Sequence, residues 1–418
     1  MSKQVQLPGG LVPAACLLLA ATLLFSLTPL TLPASAQTLT VIHTFTGGTD
    51  GALATNGLTQ DSVGNFYGTT GYGGDPNCNP DFTPPGCGTV FKIDTTEKET
   101  ILHSFAGPDG SNPSSLLELA GGAIYGTTSS GGANSDGTVF EMSANGGETA
   151  LYSFTSSSTD VYFPTAGVVR DPNGVLFGTG YYGGASNDGG IFKLKFSGSS
   201  GKDLLLHSFA GGTNDGGHPN SQLVVLPQGV YGTTVYGGTG KCNNGFALGC
   251  GVVYTLKSDG ESVLHNFAGT DGAYPGLLLP LGNGSFYGIT GSGGASQDGT
   301  VYEMDASGAV TTLYSFAGGA DGVSPGGLVQ DSSGNLFGNT YIGGISNAGS
   351  IYELSPDGQG GWTEKVLYTF TGGTDGSGPQ AGLVLDEQTH TIYGVTIEGG
   401  DSTCYAPYGC GTVFALSY

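Results

Sequence analysis

Short apolar runs, broken by clusters of Gly, Asn, Asp and Ser, follow one another along almost the whole chain. Between Gly327 and Phe370 there are four: Leu328–Val329, Asn335–Thr340, Ser350–Leu354 and Lys365–Phe370. Runs this short, rich in β-branched and aromatic residues and bounded by turn formers, predict strands rather than helices. No stretch of ten residues free of Gly, Pro or turn residues carries a 3.6-residue period.

The same four-run unit recurs. A Phe closes one run at Phe45, Phe105, Phe154, Phe209, Phe267, Phe316 and Phe370. A second marker, Tyr/Phe-Gly followed by Thr or its equivalent, begins at Tyr67, Tyr125, Phe177, Tyr231, Tyr287, Phe337 and Tyr393. A third, Gly-x-Val/Ile-aromatic, ends at Phe91, Phe140, Phe192, Tyr254, Tyr302, Tyr352 and Phe414. Three independent markers give seven units, with 49 to 60 residues between successive Phe markers. That period fits four-stranded propeller blades. The strands are A (Gly-Leu-Val, usually after Pro), B (Tyr-Gly-Thr-Thr), C (Gly-Thr-Val-Phe) and D (ending in Phe). The A–B and C–D turns, such as Asp331–Gly334 and Ser258-Asp259-Gly260, carry residues that accept a positive φ.

The expected fold is therefore all-β, a seven-bladed β-propeller of four-stranded antiparallel blades. The ends of the chain refine this. After residue 37 it begins with a D-type strand, Thr38 to Phe45, and it finishes with A, B and C strands at Tyr418. The last blade is thus expected to be closed by the N-terminal strand, which removes an open sheet edge. A linear solenoid is the alternative.

Lys3 followed by an apolar run from Leu11 to Leu32, then Pro33-Ala34-Ser35-Ala36-Gln37, has the form of a secretory signal with an A-x-A site. Residues 1–36 are expected to be removed, leaving 37–418 as one domain without a membrane span. The residues that remain include 9 basic and 33 acidic ones, a net charge of −24, and Arg170 is the one arginine. A chain this short of cations excludes nucleic acid as a natural partner.

Copies such as Leu313–Gly322 and Tyr125–Phe140 resemble the GloVer tandem repeat of exported bacterial proteins, and the resemblance covers residues 38–418. It implies export and a surface location, and it supplies no catalytic residues. Many members carry a C-terminal surface-sorting tail. This chain stops on a strand at Tyr418, so release from the cell is expected as readily as attachment.

Apart from Cys16 the cysteines form close pairs, Cys78/Cys87, Cys242/Cys250 and Cys404/Cys410, each in the B–C loop of units 1, 4 and 7. Local disulfides are expected in an exported protein. Metal binding is the rival, but no C-x-x-C spacing or paired His accompanies them. His43, His103, His207 and His265 stand two residues before the marker Phe, where other units have Tyr152, Tyr314 and Tyr368. A place that accepts either residue reads as structural.

An Asp follows each marker Phe: Asp50, Asp109, Asp160, Asp215, Asp271, Asp321 and Asp375. Turn chemistry explains these, yet seven such loops would also set carboxylates near one mouth of the channel. Ca²⁺ is the one ion they would suit, and no other cofactor is expected. In an up-and-down blade the D–A and B–C loops share a face. The Asp loops and the insertions bearing Phe82, Phe246, Tyr405 and Tyr408 are thus expected to form one binding face. The ligand would be an extracellular glycan or protein, and the protein a monomer. A propeller hydrolase or lyase acting on polysaccharide is the alternative. Glu118 and Arg170 break the repeat pattern and read as rim residues.

Overall fold

A computed structural model describes residues 37–113, 117–197, 200–242 and 249–418. The expected signal segment and Phe246 lie outside these residues. Gln37–Tyr418 forms one compact unit. Among the described residues no helix is long and apolar enough to cross a membrane.

Seven antiparallel sheets form a ring, each with the strand order A-B-C-D. Blade 6 is the plainest: A is Val323–Gln330, B is Leu336–Ile342, C is Ser350–Pro356 and D is Trp362–Thr369. In blade 3 the sheet is interrupted, and Val161–Tyr162 pairs with Tyr182–Gly183 apart from the other four strands. Blade 7 takes its outer strand from the start of the chain: Thr38–Thr44 pairs antiparallel with Thr412–Ser417. The closed ring and its N-terminal seventh-blade strand are as the repeat pattern requires.

The three sequence markers turn out to be one packing device. The marker Phe of each D strand meets the aromatic of the next blade's C strand edge to face. The pairs are Phe45–Phe91, Phe105–Phe140, Phe154–Phe192, Phe209–Tyr254, Phe267–Tyr302, Phe316–Tyr352 and Phe370–Phe414, with centroids 5.0–5.3 Å apart. The junction between blades 7 and 1 has the same geometry as the other six. Such pairs contribute about 0.5–1.5 kcal/mol each beyond area burial. The C-strand ring lies over the Gly of marker two, where a Cβ would collide with it, as at Gly126 beneath Phe140. The Thr residues of markers two and three pair as buried hydroxyls, for example Thr70 with Thr89 and Thr396 with Thr412, both at 2.9 Å.

The interchange of His and Tyr two residues before the Phe also has a cause. In five units the His or Tyr donates to the recurrent Asp, and in all seven its ring packs edge-on against the Phe. His103 and His265 Nε2 lie 2.9 Å from Asp109 and Asp271, and the hydroxyls of Tyr152, Tyr314 and Tyr368 lie 2.7–3.0 Å from Asp160, Asp321 and Asp375. His43 and His207 stand further off, 3.5 and 3.4 Å from Asp50 and Asp215. Every one of the seven carboxylates also accepts the amide N–H of the residue after the Phe, at 2.5–2.9 Å. At Asp109 burial opposes ionisation, but the bonds from His103 and the Ala106 amide more than offset it, leaving the pKa below the usual carboxylate value.

All three expected disulfides form: Cys78–Cys87, Cys242–Cys250 and Cys404–Cys410. They suit an oxidising environment.

Candidate functional site: an aromatic arc at one end of the channel

Strand A opens with a backbone feature the sequence did not announce. The residue three positions after each recurrent Asp adopts a left-handed conformation: Leu53, Asn112, Phe163, His218, Tyr274, Ser324 and Gly378 have φ between 54° and 63°. Its N–H reaches the preceding blade's B–C loop, donating to the carbonyls of Cys410, Cys87, Asp136, Asp188, Cys250, Asp298 and Ala348 at 2.7–3.0 Å. That bond holds a conformation that L-residues otherwise avoid, and such residues cluster where function constrains the backbone. The B–C loops in turn donate to the D–A loops, as from Gly74 to Gly48 and from Gly238 to Asp215. The two loop sets therefore meet on one face, as strand direction implied.

Three of these seven left-handed residues join an unbroken run of rings across blades 3, 4 and 5. Tyr162 stacks on Tyr182 with centroids 5.5 Å apart, and Phe163 packs on the same ring at 6.0 Å. Tyr182 touches Tyr181 at 4.8 Å, and both touch His218, at 5.4 and 4.7 Å. His218 meets Tyr236 at 5.5 Å, and Tyr236 meets Tyr274 at 5.8 Å. Apart from Tyr181 on Tyr182, each contact joins the start of a strand A to the end of a strand B, so the rings follow the rim of the face.

His218 is fixed within this arc. Its Nδ1 lies 3.0 Å from the Tyr181 carbonyl, which can only accept, so Nδ1 carries the hydrogen. Its Nε2 faces Asp188 Oδ1 at 3.5 Å. The Tyr162 hydroxyl donates to Asn187 at 3.1 Å. Burial, with Tyr236 and Tyr182 close by, pushes the Tyr181 phenol up to about 12, so it stays a neutral donor at any physiological pH.

Tyr274 also borders a cavity of about 260 Å³ inside the channel, whose wall includes Asn56, Thr165, Asn220, Ser221 and Gln222. A wider recess of about 590 Å³ at the opposite mouth is walled mainly by Leu and Val of the repeated strand A motif, with Glu118 among them. Burial raises the pKa of Glu118 and Arg170 nearby counteracts this, so both pattern-breaking residues sit on that side.

The residues singled out from the sequence are distributed as follows. The seven Asp side chains are tied to the ends of the D strands, and none lines either recess. Phe82, Tyr405 and Tyr408 are exposed on the disulfide-clamped loops of the expected face; Phe82 stacks on Tyr72, and Tyr405 on Tyr408. The arc was not singled out, because its members fall between the markers. The signal that could have found it is the column three residues after the Asp, filled by Leu, Asn, Phe, His, Tyr, Ser and Gly while a Gly two positions before it and a Pro just after it recur in most units.

Fold and repeated junctions define the class: a seven-bladed propeller built from a single tandem unit. The Gloeobacter/Verrucomicrobia repeat matches residues 21–245 and 239–418, and the chain belongs to that family. Among proteins of described function no sequence match emerges. Two solved structures are similar in fold. Virginiamycin B lyase from Staphylococcus aureus is 13% identical, with 91% of this chain and 99% of that chain aligned at a TM-score of 0.56. The extracellular domain of a hybrid two component system from B. thetaiotaomicron is 10% identical, with 89% of this chain and 40% of that one aligned at 0.52. Likeness at such identity speaks for the fold and leaves the site to be read from its own residues.

Proposed function

We propose that the protein is exported with loss of residues 1–36 and acts as a monomeric extracellular or surface binding module. Its ligand on this reading is a neutral glycan, held by the aromatic arc of blades 3–5. The observation that carries the reading is the run of seven rings itself, half-buried except for exposed Phe163, on the face where the exposed apolar side chains gather. Phe82, Phe163, Tyr341, Ile342, Ile345, Tyr405 and Tyr408 all belong to the D–A and B–C face, and among the described large hydrophobics only Val63 is exposed on the other. Sugar rings stack on aromatic faces of this kind, and the Tyr hydroxyls, Asn187 and His218 supply polar contacts beside them. A net charge of −24 after export disfavours an acidic polymer.

A hydrolase would instead need two carboxylates converging on one pocket. Glu118 is the one carboxylate among the described residues lining the two recesses, which favours binding over cleavage. Binding to an array of neutral oligosaccharides tests the reading. Tyr182→Ala and Tyr236→Ala should each weaken binding at least tenfold while leaving the unfolding temperature nearly unchanged. Binding that survives both, or the appearance of cleaved product, would refute it.

A further inference from the structure

At the blade junctions the His/Tyr–Asp pair of one D strand faces a residue from the next D strand, six positions before that strand's marker Phe. This third position is Glu99, Glu148, Glu261, Val310, Glu364 and Leu39 around the described junctions. Among the junctions with described side chains, His, Asp and Glu coincide in three, as His43/Asp50/Glu99, His103/Asp109/Glu148 and His207/Asp215/Glu261. In the second and third of these sets, one ligand atom from each side chain lies within 4.8 Å of the others. Glu148 Oε1, Glu261 Oε1 and His207 Nε2 are buried, yet none has a hydrogen-bond partner within the protein. Polar atoms left so are costly unless something completes them.

We propose that these two junctions, between blades 1 and 2 and between blades 3 and 4, each bind a divalent transition-metal ion of the zinc class. One imidazole nitrogen and two carboxylates are a donor set for Zn²⁺ or its neighbours. Ca²⁺ takes six to eight oxygens and gains little from an imidazole. The ligand atoms need to close by only about an ångström to reach Zn–N and Zn–O distances of about 2.0–2.2 Å. At the blade 1–2 junction the ion takes the place of the hydrogen between His103 Nε2 and Asp109 Oδ2, which are 2.9 Å apart, and that proton leaves to solvent. The Ala106 amide already orients Asp109 through its other oxygen. At the blade 3–4 junction His207 and Asp215 are 3.4 Å apart. Two neighbouring junctions serve as internal controls: His265/Asp271 faces Val310, and Tyr314/Asp321/Glu364 lacks the imidazole. Each ion would tie the outer strands of two blades together, a function separate from the aromatic arc.

The test is equilibrium dialysis of the chelator-stripped protein against ZnCl₂, with bound metal counted by elemental analysis and the unfolding temperature followed in parallel. Two tight equivalents per chain are expected, together with a rise in unfolding temperature. Glu261→Gln should remove one equivalent, Glu148→Gln the other, and the double variant both. His265→Phe and Glu364→Gln, at the control junctions, should leave the count at two. Gln is close in size to Glu, and unchanged circular dichroism of the variants keeps a lost ion distinct from a lost fold. No stoichiometric zinc in the parent protein, or zinc that persists in the double variant, would overturn the proposal.

Discussion

At the scale of single residues, the differences among repeat copies are the most informative feature, because seven copies give each substitution its own reference. Tyr302 occupies a position where four units have Phe, and its hydroxyl is buried without a hydrogen-bond partner in the protein. Tyr302→Phe should therefore stabilise the protein by about 1 kcal/mol in urea unfolding. A loss of that size would mean that the hydroxyl has a partner after all. Glu364 gives a pH-dependent case. Burial and the charge of Asp321 raise its pKa to about 7, so the fold favours its neutral form. That contribution is complete below the unfolded value near 4.5 and is lost as the pH rises through about 7. Glu364→Gln keeps the neutral form at every pH. Its unfolding temperature should match the parent's at pH 5 and exceed it by about 1–3 °C at pH 8. The depressed pKa values of Asp50, Asp109, Asp215 and Asp271 act in the opposite sense, with stability present above the ordinary carboxylate value and lost on acidification below it.

At the scale of strands and loops, the B–C loop shows two solutions to one problem. In blades 2, 3 and 5 the residue before the last loop Gly is Asp136, Asp188 or Asp298, and Asp136 reaches the Ser156 amide of the neighbouring D–A loop at 2.7 Å. In blades 1, 4 and 7 a disulfide stands there instead, and Cys87, Cys250 or Cys410 supplies the same backbone carbonyl to the next blade's left-handed residue. Replacing both Cys404 and Cys410 with Ser should therefore cost about 2–3 kcal/mol, measurable by denaturant unfolding. The ring itself should survive, because the carbonyl of residue 410 remains. Much of this was legible in the sequence: strand types, turn residues and cysteine pairs are local signals that repeat in step. The aromatic arc was not. Tyr182, His218, Tyr236 and Tyr274 are 18 to 38 residues apart in the chain, and only the pairing of strands A and B and the closing of blades 3, 4 and 5 side by side bring them together. The recurrent Asp residues were legible only in part, for a related reason. Their placement after strand D was evident, but whether a carboxylate turns to the channel or back to an amide depends on side-chain geometry, and here it turns back.

At the scale of the whole molecule, the ring depends on one non-local contact, the pairing of the first strand with the last. Each other blade is completed by its own consecutive strands, whereas Thr38–Thr44 must find Thr412–Ser417 across the entire chain. The closing junction is no weaker than the rest in kind. Phe45 packs on Phe91 at 5.2 Å, and the Leu53 amide bonds Cys410 across the seam at 2.9 Å. Because the seven junctions are alike, removing the first strand should not unfold the remaining blades one by one. It should expose the edge of Thr412–Ser417 and leave Phe91 without its partner, and such an edge recruits strands from other molecules. A chain starting at Thr46 should therefore form larger species in light scattering than the longer chain does at the same concentration. A synthetic peptide spanning residues 37–45 should restore the size of the longer chain, whereas the same peptide with Phe45→Ala, lacking the ring that seats on Phe91, should fail to do so. If the shortened chain scattered like the longer one and were equally stable without the peptide, closure by the first strand would be incidental. The ring would then be held by contacts between blades alone.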